Sequence, residues 1–321
     1  MTMAAADHMV QNAENLQIVI GQKLPGLDNF IQYYGLAVVK KGTTFNFNSL
    51  RNQKSCHTGV GKTVGWKIPV GYMIYNKIMT YTDNQYKSAS DFFAESCAPG
   101  INGISGVSDA VKTDLCSLCN GTCAKNSTEP YYDYMGAFKC MADGNNDRVG
   151  FVKETTASDF LKKYSNYGKL GDYKLLCPDG TTAGMNQYRK CHIGTRPLYA
   201  IVTGKSTSSQ TIKSIRNMLE GVNITKLTAA GIAYKNVERL VRYNGASVKE
   251  YVGSYGNYFN CLNGPLKPSA APSLTMTPSP SPSSTMTTNT SSPSTTPSAA
   301  PSLMLSLTLQ IAAILVYWFV A

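Results

Sequence analysis

Charge stops at Lys267. The 321-residue chain carries 30 Lys and Arg and 19 Asp and Glu, and none of them lies in residues 268–321. A folded part with a charged surface therefore ends near Lys267, and the net charge of +11 belongs to it alone. Hydrophobic residues make up 43% of the chain, enough for that part to bury a core. Its length suggests about two domains. The basic balance does not point to nucleic acid. Basic residues come in nothing longer than pairs such as Arg189-Lys190, with no zinc-finger spacing and no glycine-aromatic RNA motif. Scattered lysines fit a basic cleft for a small anion, or general surface charge.

The uncharged segment has two parts. Residues 263–302 are rich in Ser, Thr and Pro, with runs such as PSPSPSS, and read as an O-glycosylated stalk or a plain flexible linker. Residues 303–321, LMLSLTLQIAAILVYWFVA, are apolar with no basic residue after them. A spanning helix normally has a Lys or Arg flank, so a GPI-attachment signal is preferred over a tail-anchored helix. Small residues from Asn289 to Ser294 stand at a suitable spacer distance for attachment. The expected location is the cell surface, on the outer leaflet of the plasma membrane. Sequons at Asn120, Asn126, Asn223 and Asn289 agree with export. The opening MTMAAADHMVQNAENL has neither the basic nor the apolar region of a signal peptide, so the chain is expected to begin late in a longer product.

Nine cysteines fall at 56, 97, 116, 119, 123, 140, 177, 191 and 261. An oxidising compartment favours disulfides. The close spacing of Cys116, Cys119 and Cys123 would also suit zinc or redox chemistry, with Cys97 or Cys140 as a further ligand. An odd count leaves one thiol over. No catalytic Ser/His/Asp order or zincin helix appears, and GVGKT at 59–63 lacks the first glycine of a phosphate loop, so no enzyme is expected.

YYGLAVVKK from Tyr33 reads as a strand ending at a Lys-Lys-Gly turn. SCHTGVGKTVGW follows as a glycine-spaced loop whose amides would open a helix. With DFFAESCAPG, LCSLCNGTC, EPYYDYMGAFKCMADG, DRVGFVKETT, YKLLCPDGTTAGMNQYRKCHIGTRPLYAIV and a weaker YKNVERL, these segments resemble the transferrin family, in the family's order, over roughly residues 2–261. EPYYDYMGAFKC, GWKIPVGY and the tail are most similar to its GPI-anchored, melanotransferrin-like branch, in the second lobe. The resemblance implies an α/β fold of periplasmic-binding-protein type, with two domains closing on a cleft. Residues 1–32 and 198–262 would form the first domain, incomplete at its start, and residues 33–197 the complete second domain.

The resemblance also implies the pairings Cys56–Cys140, Cys97–Cys119, Cys116–Cys123 and Cys177–Cys191. Cys261 would stay outside these bridges, because Tyr75 stands where its counterpart would be. In such a lobe Fe(III) is held by an Asp, two Tyr, a His and a carbonate. Tyr33 and Tyr134 occupy the tyrosine positions. Ala4 occupies the aspartate position, with Asp7 three residues on, and Tyr199 occupies the histidine position, either as a replacement phenolate or as an inert filler. For the anion, Thr58 offers its hydroxyl and Val64 and Gly65 their amides. Lys62 replaces an Arg, keeping the charge but losing the planar fork. The expected function is surface iron binding with Fe(III) and carbonate at weakened affinity. The alternative is a non-ferric descendant serving as scaffold or binding another partner. Expected partners are a membrane through the anchor, and a surface receptor or second lobe, with no nucleic acid.

Phosphatidylinositol-specific phospholipase C should release the protein from cells that display it. Retention on cells whose other GPI proteins are released would favour a spanning helix.

Overall fold

The computed structural model describes residues 1–264; the sequon at Asn289 and the attachment signal lie outside the described residues, as does nearly all of the stalk. Elements are numbered in chain order. Two sheets organise the rest. The smaller is antiparallel, in the order β1 (Thr2–Ala4), β10 (Ala200–Gly204), β2 (Leu16–Lys23), β11 (Arg239–Val241). The larger runs β5 (Glu95–Cys97), β4 (Lys54–His57), β6 (Arg148–Lys153), β3 (Ile31–Lys40), β7 (Tyr173–Leu176), β8 (Thr182–Ala183), and β9 (Gly194–Pro197) also pairs with β3. The helices are α1 (Ala6–Gln11), α2 (Ile68–Tyr75), α3 (Gln85–Phe92), α4 (Asp109–Cys116) and α5 (Asp133–Ala142). They continue with α6 (Thr156–Lys163), α7 (Ser209–Glu220), α8 (Ile224–Ala229), α9 (Val248–Val252) and α10 (Ser254–Cys261).

The strand expected at YYGLAVVKK is β3, and it is the axis of the larger sheet. Its apolar run Leu36–Val39 is buried on both faces, as a central strand requires. Val39 and Ala37 face the cluster around Trp66 and Phe151, whereas Leu36 and Val38 face Phe138, Met141 and Phe160. The inner half of β3 pairs with β6 and β7, and its first residues pair with β9 instead. Tyr33 therefore lies beyond the β6 ladder, in register with Arg196.

Four disulfides join Cys56 to Cys140, Cys97 to Cys119, Cys116 to Cys123 and Cys177 to Cys191, the pairing the resemblance implies. They consume the clustered thiols, including those of a Cys97, Cys119 and Glu129 group that would otherwise suit a metal. Cys56–Cys140 fastens β4 to α5. Its 84-residue separation corresponds to roughly 4–5 kcal/mol of loop-closure entropy in the chain-entropy picture. Cys261 is buried on α10 and takes part in none of these four bridges. One turn before it, Asn257 donates to the hydroxyl of Tyr75 at 3.5 Å.

Packing departs from the expected division at the end of the folded part. Tyr255, Tyr258, Cys261 and Leu262 join the core that contains Trp66, Ile68 and Val70, so α10 belongs with the larger sheet and not with the smaller one. The cause is apolar matching: Gly71 on α2 lets the α10 backbone approach so closely that an added Cβ would stand 2.3 Å from the Tyr258 carbonyl oxygen. Asn120, Asn126 and Asn223 are all exposed. Among the described residues no helix is long and apolar enough to cross a membrane.

Candidate metal and anion site

The loop after β4 carries the residues that the sequence resemblance assigns to an anion. Thr58 is fully buried, and its hydroxyl oxygen has no hydrogen-bond partner. After it the chain enters a π-helical turn, Thr63–Lys67, that runs into α2. Val64 and Gly65 lie in that first turn, where amides have no intrahelical acceptor. A Cβ on Gly65 would stand 2.0 Å from the Thr58 hydroxyl, so only glycine leaves the hydroxyl its place. An unpartnered buried hydroxyl beside free helix-start amides fits an oxyanion.

His57 fastens this turn from behind. Its Nδ1 lies 2.8 Å from the Gly65 carbonyl, which can only accept, so Nδ1 carries the proton and donates. Nε2 then accepts from Ser55, at 3.0 Å, and Ser55 in turn contacts Ser96 at 2.7 Å. Trp66 and Phe151 enclose the ring. Burial lowers the His57 pKa to about 4.

Lys62 is not free for an anion. Its ammonium pairs with Asp133 at 2.6 Å and lies 4.3 Å from the centre of the Tyr132 ring. Lys125 is depressed first by burial and then by the fields of Lys62 and Lys67, so the potential around the turn is positive.

Tyr134 stands on the first turn of α5, immediately after Asp133. Asp133 has φ 64, a left-handed conformation that Asp tolerates better than most residues. Two bonds hold it there: its N–H donates to the Thr58 carbonyl at 3.1 Å, and its carboxylate receives Lys62. Gly136 completes the geometry, since a Cβ there would lie 2.3 Å from the Tyr131 carbonyl carbon.

Tyr33 and Tyr134 meet, with ring centres 6.2 Å apart. The Lys153 ammonium lies 5.0 Å from the first ring and 5.1 Å from the second. The Arg196 guanidinium lies 5.8 Å from both Tyr33 and Tyr199. Burial raises the Tyr134 phenol well above its ordinary value, the Tyr33 phenol adds to this, and Arg196 opposes it. Tyr199 stacks on Tyr234 at 4.8 Å. Buried Gln22 locks that pair, donating to the Tyr199 carbonyl at 2.9 Å and accepting the Tyr234 N–H at 2.7 Å. Gln32 donates to the Tyr234 hydroxyl at 2.8 Å.

Ala4 is buried on β1 opposite Ala200, the residue after Tyr199, and has no donor atom to offer. Asp7 does not substitute for it: its carboxylate pairs with Lys67 and accepts the Tyr255 hydroxyl. Of the other two histidines, His8 is exposed on α1 and His192 packs against Tyr34. Arg196, Lys153, Tyr234 and Gln22 were missed from sequence. Lys153, Arg196 and Tyr234 lie inside segments that carry the resemblance, but strand register and contacts far apart in the chain are what bring all four to the tyrosines.

The scaffold is mixed α/β, with two tyrosines meeting near a buried hydroxyl at the start of a helix. The transferrin family model matches residues 12–223. Serotransferrin-1 of Salmo salar is 39% identical over 227 residues, 69% of this chain and 30% of the relative. Serotransferrin of Oryzias latipes is 41% identical over 197 residues, 60% of this chain and 26% of the relative. Serotransferrin of Mus musculus is 39% identical over 178 residues, 56% and 24% of the two chains. The chain belongs to the transferrin family, and spans less than a third of the length of these relatives.

The His57 shift gives stability a pH slope. The group binds protons at ordinary histidine pKa when unfolded and only near pH 4 when folded. The stability it contributes is therefore complete above about pH 6.5 and is lost as pH falls towards 4, by up to roughly 3 kcal/mol. Chemical denaturation of wild type and His57→Gln across this window should show the slope only in wild type. Equal slopes would contradict the assignment.

Proposed function

We propose that this chain is a surface-displayed, ferric-iron-binding member of its family, in which Tyr33 and Tyr134 supply phenolate oxygens and the Thr58, Val64 and Gly65 cradle holds a carbonate. Iron is its cargo, and the chain is a binding protein and not an enzyme. The observation that carries this reading is the meeting of Tyr33 and Tyr134, from separate elements, with Tyr134 tied through Asp133 to Thr58. A hard trivalent ion selects anionic oxygen, and nearby cations favour the phenolate form. The two sheets correspond to the two domains of a lobe, with α10 packed on the larger-sheet domain. Lys62 acts here mainly through Asp133, so carbonate rests on Thr58 and the amides.

The lobe is read as one part of a longer, melanotransferrin-like protein held by a GPI anchor, with a surface receptor or a second lobe as partner and no role for nucleic acid. The charge-free apolar tail supports the anchor. A second reading, a non-ferric surface protein, draws on Ala4, which has no donor, and on Asp7, which is committed to Lys67 and Tyr255.

Adding Fe(III) with bicarbonate near neutral pH should produce a visible phenolate-to-iron charge-transfer band. Tyr33→Phe or Tyr134→Phe should abolish it. Tyr199→Phe should shift or weaken it where Tyr199 ligates, and leave it unchanged where that ring only packs on Tyr234. Affinity should be weak and release fast, because the position opposite Ala4 falls to water. Acid should hasten release, since the ligands must be deprotonated. No bicarbonate-dependent band in wild type would leave the non-ferric reading.

A further inference from the structure

Two cations converge on the tyrosine cluster with no anion to answer them. Lys153 and Arg196 come from β6 and β9, on either side of β3, and both lie within 6 Å of the Tyr33 ring centre. Among the described residues neither side chain forms an ion pair or a hydrogen bond. The Nε of Arg196 is buried without a partner, and so is the Oε1 of Gln32, whose amide nitrogen binds Tyr234. The two carboxylates whose fields reach Tyr134 are already used. Asp133 is held by Lys62 at 2.6 Å, and Glu154 accepts the Tyr34 N–H at 2.8 Å. Burial also raises the Glu154 pKa, which weakens it as a countercharge to Lys153.

A buried guanidinium N–H without an acceptor costs free energy until an acceptor arrives. The aromatic faces satisfy part of the charge but offer no lone pair to Nε. We infer that Arg196 and Lys153 form a second anion subsite, apart from the Thr58 cradle, that takes a small hydroxy-polycarboxylate of the citrate class. The planar fork of Arg196 suits one carboxylate bidentately, and the point charge of Lys153 suits a second. A single carboxylate does not answer two cations arriving from different strands.

The role of this anion rests on the ferric reading. A hydroxy-polycarboxylate carries hard oxygen donors, so bound at Arg196 and Lys153 it would fill the positions that Ala4 and a non-ligating Tyr199 leave open. Iron would then enter as a chelate instead of as the bare ion with carbonate alone. The binding itself does not need iron, and this separates the two ideas.

Titration calorimetry of the iron-free protein with citrate at low salt should show a single saturable site. Arg196→Gln and Lys153→Gln should each weaken it about tenfold or more, Arg196→Lys should recover part of the loss, and Lys213→Gln, an exposed control, should change nothing. Acetate should compete poorly. Ferric citrate, added in parallel, should bind more tightly than citrate where both ideas hold. Citrate binding that depends on Arg196 without any iron band would keep the subsite and remove the ferric reading. An iron band with bicarbonate, but no citrate binding, would remove the subsite and keep the ferric reading. Citrate heat that is equal in Arg196→Gln and wild type would mean adsorption on the basic surface, and would overturn the subsite.

Discussion

The Thr58 carbonyl accepts the N–H of Asp133 at 3.1 Å, and the geometry of the site depends on that bond. It joins the loop that carries the anion cradle to the helix that carries Tyr134. Around it the chain repeats the same connection by other means. Cys56–Cys140 links the two elements covalently, and Lys62 pairs with Asp133 across the same gap. His57 holds the far side of the cradle through the Gly65 carbonyl. A left-handed Asp133 persists because these contacts fix it from several directions at once. Metal and anion would therefore meet surfaces that cannot move independently of each other.

The electrostatics follow from what the cleft lacks. Neither Ala4 nor Tyr199 brings a permanent negative charge, and the nearby carboxylates are bonded elsewhere. Phenols alone remain as protein donors, and burial holds Tyr134 in its neutral form. A bound cation must overcome that burial, with help from Lys153 and Arg196. On the proposed ferric reading, weak, anion-assisted and acid-labile binding follows from such a donor set.

Much of the larger sheet was legible. YYGLAVVKK announced β3 through its continuous β-branched and small residues, and its buried run is what a central strand needs. The cysteine pairs came from motif resemblance, because nine thiols allow many pairings that spacing alone does not separate. Arg196 was hidden for a different reason. It becomes a neighbour of Tyr33 only through the β3–β9 register, across 163 residues of chain. Tyr234 reaches Tyr199 through Gln22, a buried amide that reads in sequence as an unremarkable polar residue. The final helix was misplaced because YGNYFNC carries no mark of which sheet it covers; the close approach at Gly71 decides that. Lys62 kept its charge in sequence, but its partner Asp133 lies 71 residues away.

Bicarbonate dependence of iron uptake in Thr58→Val tests the linkage between cradle and tyrosines most directly. The substitution keeps the side-chain volume and the carbonyl bond to Asp133 but removes the buried hydroxyl. Iron titrations at graded bicarbonate should need about tenfold or more additional bicarbonate to reach half-maximal charge-transfer absorption, with the position of the band unchanged because both phenolates remain. The same bicarbonate requirement in Thr58→Val and wild type would contradict an anion seated on this hydroxyl.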